Sequence, residues 1–198
     1  GFPTDLETVE ICLPHTARIK DNAWMCALPQ GLKRLVLKGR SRVEAAHVPI
    51  AFLPRSLTHF SIAARDLTVE QIESLPRGMT SLEFIYYPVE DTARFFRALP
   101  RSLTRFAAWT GAVKSYVLKE LPQGIVHGQF CPWAIEDVSS LPPLLESILL
   151  PTAQDSDSIP VFPSAVTELY LEEPTVKNMR ILPDHLRHLV VANSREFS

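Results

Sequence analysis

The sequence predicts an α/β solenoid, in which one short strand from each of a series of repeats joins a single parallel sheet. Two observations lead to this fold class. A ten-residue block recurs nine times along the 198 residues, with proline and apolar residues at fixed positions. The block also ends in alternating apolar and polar residues, which is the pattern of a strand with one buried face. Because a strand this short cannot bury its apolar side alone, successive copies must stack.

The nine blocks start at residues 2, 28, 53, 75, 99, 121, 141, 162 and 182, and we interpret residues 1–198 as a single domain built from them. Counting the leading Leu or Phe as position 1, Pro fills position 2 and an apolar residue fills positions 5 and 10 in every block. Position 8 is apolar except at Gly128. Proline lacks a backbone N–H, so we expect it in the turn before the strand.

The spacers between the blocks predict short helices in the first half of the chain. Thr68 followed by Gln71 is a capping-box signature, and 90–100 has an acidic start with room for two helical turns. After residue 121 the repeats shrink to 20–22 residues, which leaves room only for extended or 3-10 segments. We therefore expect an arc with the sheet on its concave side and short helices, 3-10 turns and irregular turns on its convex side.

These blocks resemble the leucine-rich repeat, whose usual core is LxxLxLxxN, in a variant that reads LPxxLTxLxL. The LPxSLT wording of 53–58 and 99–104 is similar to FNIP-type repeats, and the LP punctuation is similar to that of bacterial ubiquitin-ligase effectors. The resemblance covers nearly the whole chain and implies a leucine-rich-repeat solenoid. The chain departs from the family at the Asn position, where other residues stand in all nine blocks, so the asparagine ladder of the family is absent.

Charge and composition argue against some classes of partner and some locations. A net charge of −2 argues against a dedicated nucleic-acid-binding protein, which carries a basic excess. No apolar run approaches the ~18 residues of a membrane span. The cysteines Cys12, Cys26 and Cys131 form no CxxC pair, and no Asn-x-Ser/Thr sequon occurs. Both absences favour an intracellular location over an extracellular receptor ectodomain, which would carry cysteine caps and sequons.

Stacked strands allow candidate catalytic and metal sites to be tested by distance. Position 7 places His59, His127 and His188 in one column, each three repeats from the next, or roughly 14 Å at about 4.8 Å per strand. They cannot share a metal ion, whose His ligands sit about 2 Å from it. Arg34, His59 and Ser81 are adjacent in this column but lack an acid to orient the His. The sequence therefore predicts no enzyme activity, no metal and no cofactor.

A partner-binding surface remains, on the concave face formed by positions 7, 9 and 11. Position 11 holds Ile85, Trp109 and Cys131 in consecutive blocks, with Ala107 and Arg105 beside them. Aromatic, aliphatic and Arg residues clustered near the middle of a surface have the composition of a binding hot spot. In the alternative interpretation, position 11 bends inward as the strand ends, and Trp109 belongs to the core.

Three further residues are candidates for contact with a partner. Arg34 and His59 come from position 7, and Tyr170 lies in a second patch with Glu168 and Glu172. We therefore expect a non-catalytic protein-interaction scaffold that binds another protein on its concave face. The alternative is a substrate-recognition module of a larger enzyme or ubiquitin ligase whose catalytic part lies outside these residues.

The ends of the array lead to a further expectation. Solenoids need terminal units with a polar outer face, yet the first block starts at Phe2 and the last ends at Val191. We expect an excerpt of a longer chain, with flanking domains or self-association covering the ends.

Overall fold

A parallel sheet of nine strands runs through the repeats in the computed structural model. The structure describes residues 2–13, 23–39, 43–44, 48–62, 64–65, 67–85, 92–109, 115–130, 140–150, 162–172 and 182–192. The strands are β1 (Thr8–Leu13), β2 (Arg34–Gly39), β3 (Val43–Glu44), β4 (His59–Ile62), β5 (Ala64–Arg65), β6 (Ser81–Ile85), β7 (Arg105–Trp109), β8 (His127–Phe130), β9 (Ser147–Leu150), β10 (Glu168–Glu172) and β11 (His188–Ala192). The large sheet has the order β1-β2-β4-β6-β7-β8-β9-β10-β11, and β3 pairs with β5 in a separate two-stranded sheet.

Every strand of the large sheet begins at position 7 of its block, and neighbouring strands pair position for position. Ser81 lies opposite Arg105, for example, and Leu82 lies opposite Phe106. All eight pairings are parallel. The sheet matches that of the predicted solenoid, and the repeat sequence predicts its register correctly.

Proline at position 2 shapes the turn that enters each strand. In all nine blocks the backbone N–H of position 5 donates to the carbonyl of this proline, at 3.0–3.4 Å. The carbonyl of position 6 then accepts two N–H groups, those of positions 6 and 7 of the next block, as Thr58 does from Thr80 and Ser81. This double acceptance recurs at all eight junctions, with distances of 2.8–3.2 Å. The missing proline N–H therefore interrupts no ladder bond.

Hydroxyl side chains in the turn before each strand also connect adjacent blocks. At position 6, Thr58, Thr80 and Thr104 each donate to the position-6 carbonyl of the preceding block, at 3.1–3.3 Å. At position 4, Ser56 Oγ lies 2.6 and 2.7 Å from two carbonyls of the preceding block, and Ser102 Oγ lies 2.7 and 2.6 Å from the equivalent pair. The Ser and Thr of the LPxSLT motif thus form side-chain ladders before the strands. The asparagine ladder that follows the strands in the leucine-rich-repeat family is absent from this sequence.

We expect Ser102→Ala to lower the free energy of unfolding by about 1 kcal/mol, because it removes the hydroxyl shared by the carbonyls of Arg77 and Met79. Urea unfolding of the purified chain measures this. Ser164→Ala is the control, since Ser164 is an exposed turn serine at position 3, and it should change stability by less than about 0.5 kcal/mol. Equal effects of the two substitutions would show that the hydroxyl contacts do not stabilise the junction.

The core lies behind the sheet and is built from positions 1, 5, 8 and 10, with further side chains from the spacers. Its buried apolar side chains form one cluster from Val9 to Leu171. Four phenylalanines pack edge to face near its middle, with ring centroids 5.6–6.2 Å apart, and all are at most 1% exposed: Phe84, Phe95, Phe96 and Phe106. Aromatic pairs favour this geometry because the edge of one ring meets the face of the next.

Short helices lie in the spacers of the first half, as predicted. They are α1 (Ala23–Cys26), a 3-10 turn (Ile50–Phe52), α2 (Val69–Glu73), α3 (Thr92–Ala98) and α4 (Ser115–Leu118). The predicted capping box is present at the start of α2: Gln71 N donates to Thr68 Oγ1 at 3.2 Å, and Thr68 N donates to Gln71 Oε1 at 2.9 Å. The spacers after residue 130 lie mostly outside the described residues, so the structure there does not test the prediction of extended or 3-10 segments.

The terminal blocks bury their core positions less completely than the middle blocks. Position 5 is fully buried from Leu32 to Val166 but only half-buried at Leu6 and Leu186. Val191, at the inward-facing position 10 of the last strand, is 50% exposed. A block with a neighbour on only one side has fewer side chains to cover it. Association through these ends stays a prediction.

Candidate functional site

The side chains of positions 7 and 9 lie on the face of the large sheet opposite the core, which we call the open face. Alternation along a strand produces this separation: in β7, Phe106 at position 8 is fully buried, whereas Arg105 at position 7 is exposed. Cys12 and Lys38, at position 11 of the first two blocks, are also exposed. The open face is therefore a surface on which every repeat presents two or three side chains in register.

A groove of about 520 Å³ crosses the open face from β2 to β8. Its lining combines two arginines, two histidines, one glutamate and four hydroxyl-bearing residues with two apolar residues. We call it the polar groove, and it is lined by Arg34, Val36, His59, Phe60, Ser61, Thr80, Ser81, Glu83, Thr104, Arg105 and His127. Three of the candidate residues from the sequence, Arg34, His59 and Arg105, thus lie in one groove.

His59 is held near the middle of the groove by its neighbour in the chain. Its Nδ1 lies 2.9 Å from Thr58 Oγ1, and that hydroxyl donates its one proton to the carbonyl of Lys33. In the tautomer with the ring proton on Nδ1, this hydroxyl accepts that proton and Nε2 is left as an acceptor. Burial of the imidazole, followed by the positive charges of Arg34 and Arg105, lowers the pKa of His59 below its ordinary value. The lowered pKa favours the neutral form of the ring.

The floor of the groove is made of small polar side chains. Ser61 Oγ donates to Glu83 Oε2 at 3.0 Å across β4 and β6. Ser81 lies in register between His59 and Arg105, and its hydroxyl makes no hydrogen bond to another residue of the described ranges. The small side chains of Ser61 and Ser81 lie among the longer side chains of Arg34, His59 and Arg105, and this difference in length produces the depression. The Ser81 hydroxyl at its centre can donate a hydrogen bond to a ligand.

The predicted central hot spot is only partly within the described structure. Ile85 and Trp109 are the last residues of β6 and β7 and lie opposite each other in register. The structure describes their backbone but not their side chains, and Cys131 lies outside the described residues. Ala107 is on the open face but only 6% exposed, because its methyl group lies between the longer Glu83 and Gln129 of the neighbouring strands. Ala107 therefore offers a partner little area of its own.

Tyr170 lies in a different part of the open face, three strands beyond Arg105. It is half-buried, and position 9 of β9, β10 and β11 places it in register between Leu149 and Val190. Val190 is 41% exposed. We call Leu149, Tyr170 and Val190 the apolar row. Position 9 is thus apolar on each strand from β9 to β11, whereas the polar groove lies over β2 to β8.

Sequence reasoning did not select several residues of these two regions as partner-binding candidates, although it placed them in the correct columns. Ser61, Ser81 and Glu83 line the polar groove, and Leu149 and Val190 flank Tyr170. The signal that could have identified the row is present in the sequence, because position 9 is apolar in each of the last three blocks. No pattern in the sequence identifies the groove, because the groove depends on differences in side-chain length between neighbouring strands.

The described residues do not assemble a metal centre or a hydrolytic triad. Within the described ranges, no group of three or more His, Cys, Asp or Glu side chains could hold a metal ion. His59 meets a hydroxyl at Nδ1, where a triad needs a carboxylate. None of the described helices has the length and hydrophobicity to cross a bilayer, and the longest, α3, has seven residues.

Comparison with known proteins supports the fold alone. No protein-family model matches the sequence, and no curated protein matches it. The structure is similar to the crystal structure of the leucine-rich-repeat-containing protein LegL7 from Legionella pneumophila, with a TM-score of 0.58 and 16% sequence identity. The alignment covers 91% of this chain and 73% of LegL7. With its register-matched parallel sheet and its stacked blocks, this chain has the fold of a leucine-rich-repeat solenoid.

Proposed function

We propose that this chain is a non-catalytic scaffold that binds a partner protein on the open face of its sheet. The observation that carries the proposal is the polar groove and the apolar row on one continuous face, spanning β2 to β11. A groove with Arg and His side chains beside an aromatic and aliphatic row provides both parts of a protein interface, the polar contacts and the apolar anchors.

Several candidate residues have distinct roles in this proposal. Arg34 and Arg105 provide charged contacts in the groove, and Tyr170 provides an apolar anchor with a polar tip. Aromatic side chains and Arg are enriched at interfaces because they bury large areas and still form directed hydrogen bonds. Ile85 and Trp109, at position 11 of two strands that line the groove, would extend the face beyond it, and Cys131 is proposed to join them.

The open face can be tested by photo-crosslinking with p-benzoylphenylalanine introduced at single positions. We expect substitution at Ser81 or Tyr170 to crosslink the same partner from a cell extract, because both positions lie on the open face. Phe52 is the matched control, since this aromatic residue is 62% exposed on the 3-10 turn of a spacer. Crosslinks from Phe52 with none from Ser81 and Tyr170 would place the interface elsewhere and overturn the proposal.

The alternative is a recognition module of a larger enzyme or ubiquitin ligase, which would use the same face. The two functions differ in what happens to the bound partner. A recognition module predicts that a partner captured with the whole protein is chemically modified, for example ubiquitinated. A scaffold leaves the partner unchanged.

A further inference from the structure

We propose that the polar groove binds an acidic segment of the partner, laid across the strands so that its carboxylates meet Arg34 and Arg105. The inference rests on the proposed function, because it names the chemistry of the partner that the open face would receive.

The groove presents donors for which the described residues supply no acceptor. Within the described part of the chain, no carboxylate forms an ion pair with Arg34 or Arg105, whereas Lys33 and Lys38 near the first strands pair with Glu7 and Glu10. The Ser81 hydroxyl between the two arginines also has no hydrogen bond to another described residue. Guanidinium groups donate and never accept, so the complementary ligand is rich in acceptors.

The charge of the groove is opposite in sign to that of the chain. The chain as a whole has a net charge of −2, but the groove holds two permanent cations and one carboxylate. That carboxylate, Glu83, already accepts from Ser61 at 3.0 Å. His59 adds positive charge when it is protonated. Burial and the two nearby arginines lower the pKa of His59, and the charge of an acidic ligand would oppose the effect of the arginines.

The spacing of the arginines favours a chain over a single anion. Arg34 and Arg105 lie on β2 and β7, three strands apart, or roughly 14 Å at about 4.8 Å per strand. One anion could bridge them only if both side chains lay flat along the sheet over His59 and Ser81. An extended peptide advances about 3.3 Å per residue, so two carboxylates about four residues apart match the two guanidinium groups. A nucleic acid is the weaker match, because its binding depends on neutralising many phosphates.

The test is fluorescence anisotropy of labelled ligands with the purified chain. The ligands are a decapeptide rich in Glu and Asp, its counterpart with Gln and Asn, and a single-stranded oligonucleotide of the same charge as the acidic peptide. The groove variant is Arg34→Gln with Arg105→Gln. The matched control is Arg55→Gln with Arg77→Gln, which removes two exposed arginines from turns outside the groove. Thermal melting of each variant establishes that it is folded.

We expect the acidic peptide to bind at least about tenfold more tightly than its amide counterpart, and the groove variant to lose about tenfold or more, because charged partners at such a surface determine specificity. The control variant should change the affinity by less than about twofold, and added salt should weaken binding by screening. Ser81→Glu, which places a carboxylate between the two arginines, should also weaken binding of the acidic peptide.

The inference would be overturned by equal binding of the acidic and amide peptides, by unchanged binding of the acidic peptide to the folded groove variant, or by tighter binding of the oligonucleotide. Equal losses in the groove and control variants would also overturn it, because the effect would then follow from total charge. None of these results would affect crosslinking from Ser81 and Tyr170. Loss of the acidic-segment inference is therefore distinguishable from loss of the proposed function.

Discussion

Phe106→Ala is expected to lower the free energy of unfolding by about 3–5 kcal/mol, the usual cost of truncating a buried aromatic side chain. Phe106 is fully buried at position 8 of β7, and its ring lies 5.6 Å from that of Phe84 and 6.2 Å from that of Phe96. The substitution removes burial energy and edge-to-face contacts at once, and it leaves a cavity between strands and helix α3. Because each repeat is stabilised by its neighbours, a defect near the middle weakens both halves of the array.

Urea unfolding followed by circular dichroism measures this loss. Phe52→Ala is the control, because Phe52 is 62% exposed and its removal should change stability by less than about 0.5 kcal/mol. A loss below about 1.5 kcal/mol for Phe106→Ala would mean that the core relaxes around the cavity, contrary to the close packing inferred for the four phenylalanines.

Trp109→Ala is expected to weaken partner binding about thirtyfold, or about 2 kcal/mol, with less than about 0.5 kcal/mol lost in stability. Trp109 ends β7 at position 11, opposite Ile85 of β6. Where the structure describes side chains at position 11, in Cys12 and Lys38, they are exposed. A large aromatic side chain at the same position, at the end of a strand that lines the polar groove, is suited to anchor a partner.

Melting temperature and partner affinity, measured on the same preparation, separate this expectation from its alternative. If position 11 bends inward at Trp109, the substitution should instead cost about 3–5 kcal/mol of stability, and the binding defect would follow from unfolding. A large fall in melting temperature would therefore contradict the hot spot. Phe52→Ala, an exposed aromatic truncation away from the open face, should leave both quantities unchanged.

The repeat sequence is sufficient to predict the sheet, its register and the turn before each strand. These features depend on residue type at a fixed position, which the sequence displays nine times. Pro at position 2 has no N–H to lose to a ladder, and apolar residues at positions 8 and 10 must face the core together. The capping box of Thr68 and Gln71 was also predictable, because both partners lie within one helical turn.

The burial of individual side chains on the open face is not predictable from their position in the block alone. Val36 occupies position 9 yet is only 4% exposed, because it lies in register with Glu10 and close to Lys38, whose side chains form an ion pair across β1 and β2. Long side chains cover small neighbours with their aliphatic stems. The same effect reduces the exposure of Ala107, which periodicity assigns to the binding surface.

Periodicity along the chain thus specifies which side chains face inward and which strands are neighbours, since both follow from residue type at a fixed block position. Contacts between blocks are a separate matter, because their partners are 20 or more residues apart and depend on the geometry of stacking. The Ser102 hydroxyl meets the carbonyls of Arg77 and Met79, and Ser61 meets Glu83, in pairs that no local pattern marks. The polar groove arises in the same way: side chains of unequal height from successive strands form a depression only after the strands are stacked.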